Sequence, residues 1–360
     1  MSGSRPSTGI LLSARTMIRF AALPTFAALA SSARAFEINA LFSDGMVLQT
    51  ARDGGPGPGA LIGTAAAGAT VTLTGSDGFP SSSVSAVADD DGVWTLVLAN
   101  DTDDSAWGPF ELTLASDEKT NEKSGAVVAS DVYFGDVYFC GGQSNMERAI
   151  NTIANVSTEL ELSSHPHMRL FAVPKQSDVQ PSASGGRAVV PFDRSAPGRP
   201  FGYLGLGGRI GGEIATTVTP PPTLELNGSC LVGECANPCD APARAWRAAN
   251  STWVQHFSAL CYMTARDAAR DRGTLDGADG RAIGLIEDDF GGTPVQAWAP
   301  PEALAACGMP TDDCATEPGG SCQSYPSALF NTMVAPVVGR GLRAFLWMQV
   351  QCGGGGRPSP

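Results

Sequence analysis

The chain has 360 residues, of which 43% are hydrophobic and 16% charged, and its formal net charge is −13; that length admits two domains with cores of their own. An excess of acid on this scale repels phosphate backbones and anionic membranes, so no nucleic acid is expected as a partner. No apolar run reaches the ~20 residues of a membrane-crossing helix, so no membrane span is expected either.

At the amino end, Arg15 and Arg19 precede Phe20-Ala21-Ala22-Leu23 and an apolar stretch to Ala30, followed by Ala33-Arg34-Ala35. Basic, then apolar, then small residues is the order of a secretory signal peptide, expected over residues 1–35 with cleavage after Ala35. An ordinary disordered N-terminus is the other reading. Loss of those residues removes four arginines and no acid, taking the formal charge from −13 to −17. Export, whether extracellular or to a lumenal compartment such as a lysosome or vacuole, would also give meaning to four acceptor sequons, at Asn100, Asn155, Asn227 and Asn250, and a glycoprotein is expected.

Residues 36–130 read as an N-terminal segment followed by a β-domain. Thr70–Thr74, Val84–Ala88 and Phe110–Leu114 alternate with period two and are separated by turn material, which predicts a small antiparallel sandwich or barrel. Asp89-Asp90-Asp91-Gly92 falls short of a calcium loop, lacking its spacing and distal Glu, and reads as an acidic hairpin turn before Val93–Leu96.

The stretch Asp131 to Met146 carries the chemistry. Val132, Phe134, Val137 and Phe139 form an apolar run of strand length, and Gly141-Gly142 lets the backbone turn sharply. Ser144 is thereby expected at the mouth of a strand-to-helix turn, its hydroxyl exposed beside backbone N–H groups able to face an oxyanion. Gly142-Gln143-Ser144-Asn145-Met146 keeps only the first glycine of a Gly-x-Ser-x-Gly elbow, and a serine N-cap fits the same residues.

From there to residue 349 the character is α/β. Met168–Val173 is a strand candidate; residues 175–250 are rich in Gly, Pro and Cys and read as an insertion near the rim of the site. Thr252-Trp253-Val254-Gln255 has capping-box spacing, and Val254, Phe257, Cys261, Ala265 and Ala268 keep helical period up to Arg272-Gly273. A buried-type strand at Ile283–Ile286, a helix over about 325–338 and a strand over 342–349 complete the alternation of a doubly wound parallel sheet, whose sites lie beyond the carboxyl ends of its strands. Cys140 and Cys261 sit in apolar settings suited to free thiols. The clusters Cys230/Cys235/Cys239 and Cys307/Cys314/Cys322 lack zinc spacing, and disulfides are preferred over a metal there.

Phe139-Cys140-Gly141-Gly142-Gln143-Ser144-Asn145-Met146 closely resembles the nucleophile block of the sialate O-acetylesterase family of SGNH hydrolases, usually written Trp-x-Cys-Ser-Gly-Gln-Ser-Asn-Met. Leu41-Phe42-Ser43-Asp44-Gly45-Met46-Val47-Leu48-Gln49 is similar to the family's opening signature. Ile283–Ile286, running through Gly291-Gly292-Thr293-Pro294 to Ala297-Trp298, is similar to its second block, and Phe330–Pro336 with Phe345–Gln349 to the approach to its third. The resemblance implies an SGNH-type, flavodoxin-like parallel sheet over residues 131–349 beside a β-domain, and a secreted carbohydrate O-acetylesterase without cofactor or metal. It implies that Ser144 is the nucleophile, that its own N–H and that of Gly291 or Gly292 form the oxyanion hole, and that Gln143, Asn145 and Trp298 line a pocket for an O-acetylated sugar, a sialic acid or an acetylated polysaccharide. From the residues alone, the two glycines also serve to turn the chain and Trp298 also suits a core.

The family continues past this point with a Gly-Glu-Ser-Asn-like block and, much later, an Asp-x-x-His pair that supplies the base. Here residues 350–360, Val-Gln-Cys-Gly-Gly-Gly-Gly-Arg-Pro-Ser-Pro, resemble nothing in the family; a shifted frame, an alternative exon or a mispredicted gene end is the reading of that tail. His165, His167 and His256 match no family base position, and Asp288-Asp289 read as loop residues. The expectation is an impaired esterase, with a non-catalytic carbohydrate-binding protein or an incomplete gene model as the alternatives.

Overall fold

Seventeen residues without proline, rich in valine and aromatic side chains, form one long strand, β8 (Ala126–Gly142). The computed structural model describes residues 35–38, 41–51, 54–80, 83–98, 107–118, 126–173, 246–275, 281–309 and 324–349. Residues 1–34 of the expected signal peptide, nearly all of the 175–250 insertion, Cys230, Cys235, Cys239, Cys314, Cys322 and the 350–360 tail lie outside those residues. β8 has two kinds of neighbour. Its first half pairs antiparallel with β7 (Phe110–Ser116); its second half lies between two parallel strands, β11 (Ala282–Asp289) and β12 (Ala344–Met348). The change falls at Asp131, whose φ of 58° is left-handed and whose carboxylate pairs with Arg169 at 2.7 Å.

Upstream, β1 (Glu37–Ile38), β3 (Ala60–Thr64) and β6 (Val93–Val97) make a three-stranded sheet, while β5 (Ser83–Val87), β4 (Thr70–Gly75) and β7 extend the β8 sheet to nine strands. Alternation places Val71, Leu73, Leu112 and Leu114 inside on one sheet and Leu61, Trp94 and Leu96 inside on the other. Asp89–Gly92 is a tight turn in which Asp89 Oδ1 accepts from the N–H groups of Asp91 and Val93 at 3.0 and 2.8 Å. It does not close a hairpin as expected: β5 and β6 belong to different sheets, and the turn carries the chain from one to the other.

The parallel strands stand in the order β9 (His165–Ala172), β11, β8, β12, with β10 (Arg247–Ala249) antiparallel at the β9 edge. A flavodoxin-like order would set β9 against β8; instead β11, all eight of whose residues are buried, lies between them. Gly135 permits that approach, since a Cβ there would stand 1.8 Å from the Ala282 carbonyl oxygen. β2 (Val47–Gln49) pairs with β8 at residues 133–135, and Gln49 Oε1 extends the ladder by accepting the Val137 N–H at 2.9 Å. Both faces of β11 and of the second half of β8 are buried, as parallel strands require, whereas Phe345 on β12 is exposed. Val137, Phe139 and Ile286 join an apolar cluster that runs unbroken into the β-rich part, and Tyr138, Cys140, Leu170 and Leu285 face a second under the helices.

The helix expected from Thr252 forms as two pieces, α2 (Ser251–Val254) and α3 (Ala259–Asp271). Asn250 rather than Thr252 is the cap, its Oδ1 accepting from Thr252 and Trp253, and Ser258 Oγ caps the second piece through Cys261 N–H. The chain between them is drawn off the helical path because the carbonyls of Gln255 and Phe257 accept the N–H groups of Asn151 and Ile150. The helix expected over 325–338 is a π turn at Phe330–Val334 followed by a 3-10 turn at Ala335–Val337, where Pro336 has no N–H to continue a ladder. Packing of α3 on β8 brings Cys140 and Cys261 together as a disulfide, Cα–Cα 5.7 Å, so neither is the free thiol expected. Cys307, by contrast, is exposed and has no disulfide partner among the described residues. Among the described residues no helix is long and apolar enough to cross a membrane.

Candidate functional site

β8 ends at Gly142, whose φ is 132°, and the chain turns at Ser144 with a φ of 48°. Gly142 has no alternative: a Cβ would lie 2.1 Å from the Met348 carbonyl oxygen of β12. A left-handed serine has no such steric reason, and strain of this kind at a strand's end is characteristic of nucleophile turns. Gln143 is buried, while Ser144 and Asn145 are exposed. No helix begins here as expected; the next elements are a 3-10 turn at Ile150–Thr152 and α1 (Val156–Glu161). The N–H groups beside Ser144 therefore belong to the turn itself.

Three strand ends are tied into one rim. Gln143 N–H donates to the Met348 carbonyl at 2.9 Å, Phe290 N–H to the Gly142 carbonyl at 2.9 Å, and Gln349 Nε2 to the Thr293 carbonyl at 2.9 Å. This brings the turn after β11 against the serine turn. Gly291 N–H donates to Glu147 Oε2 at 2.8 Å, and Gly292 N–H points to Gln143 Oε1 at 3.4 Å. Gln143 Oε1 also accepts the Ser144 hydroxyl. The serine oxygen and the Gly292 N–H thus converge on a single oxygen atom, whereas the Gly291 N–H is taken up by a carboxylate.

Trp298 lies in the core behind this rim, 5% exposed, its Nε1 donating to Thr293 Oγ1 at 2.9 Å and its ring edge-on to Trp347 at 5.4 Å. Asp288 and Asp289 are not loop residues: they are the last two residues of β11, fully buried and in register with Gly141 and Gly142. Their charge ended the apolar run in the sequence and hid the strand's true length. Glu147 was missed; only its closeness to the serine block marked it.

Two of the histidines, His165 and His167, stand elsewhere. His167 sits at the amino end of β9 with its ring edge-on to Tyr133 at 5.8 Å. Tyr133 is nine positions before Gly142 on β8, or ~30 Å along an extended strand, and His165 lies further toward that same end. His256 follows α2, and burial lowers its pKa from 6.5, so it is neutral at pH 7. The hydrogen bond made by the Ser144 hydroxyl goes to Gln143, not to a histidine. Among the described residues no group of His, Cys, Asp and Glu is arranged to hold a metal ion.

Parallel strands flanked by helices make this a mixed α/β protein, with an exposed, left-handed serine just past the carboxyl end of β8. No protein-family profile matches the chain. By sequence it is a relative of the sialate O-acetylesterases: those of Pongo abelii and Homo sapiens are each 25% identical over 319 residues, covering 87% of this chain and 48% of theirs. That of Rattus norvegicus is 27% identical over 303 residues, covering 80% and 45%. The fold is shared with a carbohydrate acetylesterase from Xanthomonas citri, with a TM-score of 0.54 at 21% identity over 88% of this chain and 51% of that one. The chain spans about half the length of the curated relatives it matches.

Proposed function

We propose that the chain is a carbohydrate O-acetylesterase of the serine type, acting on acetyl esters of a sialic acid or an acetylated polysaccharide, with low activity expected because the Ser144 hydroxyl, among the described residues, bonds to Gln143 and not to a histidine. The observation that carries this reading is the convergence of Ser144 Oγ and Gly292 N–H on one oxygen, Gln143 Oε1. When Gln143 yields that place to the ester carbonyl, Ser144 Oγ bonds to the carbonyl carbon, and the N–H groups of Gly292 and Ser144 take the negative charge. The sugar then leaves as its hydroxyl, carrying away a proton, and water releases acetate from the serine. Gly292 is preferred to Gly291 as donor because the Gly291 N–H is already engaged. Gln143 and Asn145 line the approach; Trp298 supports it from behind.

Acylation needs an acceptor for the serine proton; the Ser144 hydroxyl bonds to Gln143, and His165 and His167 lie toward the other end of the sheet. Enzymes stripped of triad members retain about 10³–10⁴ over water through the oxyanion hole and binding. The buried Cys140–Cys261 disulfide supports an oxidising, extracellular or lumenal location, as export of residues 36–360 would require.

The test is acetate release from aryl acetate and from O-acetylated sialic acid by the chain and its Ser144→Ala variant. Weak release that disappears with the hydroxyl is expected; release equal in both removes the serine mechanism. Occupation of the meeting point by Gln143 favours a second reading, a glycan-binding protein without turnover. Sugar affinity unchanged in Ser144→Ala, with no acetate from either protein, supports that one.

A further inference from the structure

We infer that Glu147 is a positioning residue which, through the Gly291 amide, fixes the Gly292 N–H relative to the Ser144 hydroxyl; this rests on the serine-esterase reading above. Glu147 is 4% exposed and three residues beyond the serine. Burying a carboxylate is costly unless hydrogen bonds hold it, and one that does here is the Gly291 N–H, 2.8 Å from Oε2. Such a charge-assisted bond is among the stronger and more directional kinds. The fit is close: a Cβ on Gly291 would stand 2.1 Å from Glu147 Oε2, so a side chain there would displace the carboxylate.

Gly292 itself is held by little. Its φ is +77°, a Cβ there would meet nothing within 4 Å, and one long bond, to Gln143 Oε1 at 3.4 Å, marks the direction of its N–H. That direction follows from the anchors on either side. One is the Glu147–Gly291 bond; the other is Thr293, buried, with its Oγ1 on the Phe290 carbonyl at 2.6 Å. With Gly291 untethered, the Gly291–Gly292 peptide can rotate, and the N–H leaves the oxygen that Ser144 also addresses. Glu147 therefore makes the serine turn and the donor turn a single body, and a donor aimed in advance is what stabilisation of an oxyanion requires.

The experiment uses the full chain with Glu147→Ala and Glu147→Gln. Amide hydrogen exchange at Gly291 and Gly292 is read by NMR, and aryl acetate hydrolysis by kcat and KM. Glu147→Ala is expected to speed exchange at both glycines by about tenfold or more and to lower Ser144-dependent kcat by about 10- to 100-fold with KM within about twofold. Glu147→Gln, which keeps an acceptor oxygen, is expected to restore most of both. If Glu147→Ala does not fold, Glu147→Asp withdraws the carboxylate by one methylene and is expected to show the same direction. Exchange at Gly292 unaltered in the variant that folds overturns the inference. Faster exchange together with no Ser144-dependent turnover in the parent chain leaves the positioning intact and removes the esterase reading instead.

Discussion

Ser144 is exposed and left-handed, and that conformation has a measurable cost. A non-glycine residue pays roughly 1–2 kcal/mol there, partly offset by the extra freedom glycine loses on folding. Ser144→Gly should therefore be more stable than Ser144→Ala by about 1 kcal/mol, as read from urea midpoints; equal midpoints would mean that the turn is unstrained. At His256 the sign follows from burial. Its folded pKa lies below 6.5, so the unfolded chain binds the proton more readily, and the stability this contributes is full above about pH 6.5 and lost as pH falls from there through the folded pKa. The unfolding midpoint should drop between about pH 7 and about pH 5, and His256→Gln should flatten that drop. The serine block itself was legible through its resemblance to the sialate O-acetylesterase nucleophile block, since from the residues alone a serine N-cap fits as well. Glu147 was not: an acid after a turn looks solvated until the fold buries it.

β8, β11 and β12 were legible as apolar runs, although acids concealed the last two residues of β11. Their neighbours were not, since periodicity marks a strand without naming its partner; steric details at Gly135 and Gly142 decide that. Gly135→Ala should drive β8 and β11 apart and cost about 3 kcal/mol, the upper end of common substitutions, measured by denaturant unfolding. A cost under about 0.5 kcal/mol would show that the backbone shifts freely. The break between α2 and α3 escaped notice because helical period survives across it while backbone bonds to residues 150 and 151 do not show in side-chain pattern. The disulfide escaped for the same kind of reason, its cysteines being 121 residues apart. Replacing both by alanine should cost about 3–5 kcal/mol, given so long a closed loop.

At the scale of the molecule, β8 runs as one strand through residues 130 and 131, where a boundary was expected, and one apolar cluster extends from Trp94 and Leu73 to Phe139, Ile286 and Trp298. The fold class was readable because strands and helices alternate after residue 131; the continuity of the core was not, because each segment's pattern is satisfied by burial against any partner. A core shared in this way should make the described chain unfold in a single step, with near- and far-ultraviolet dichroism coinciding, and two separated transitions would argue for independent units. The placement of one serine at the end of this sheet remains the point on which function depends. Its most direct measurement is mass spectrometry of the chain after exposure to an aryl acetate. An acetyl group on Ser144, lost in Ser144→Ala, is the expected result. Acetylation confined to lysines, with Ser144 unmodified, would contradict the assignment.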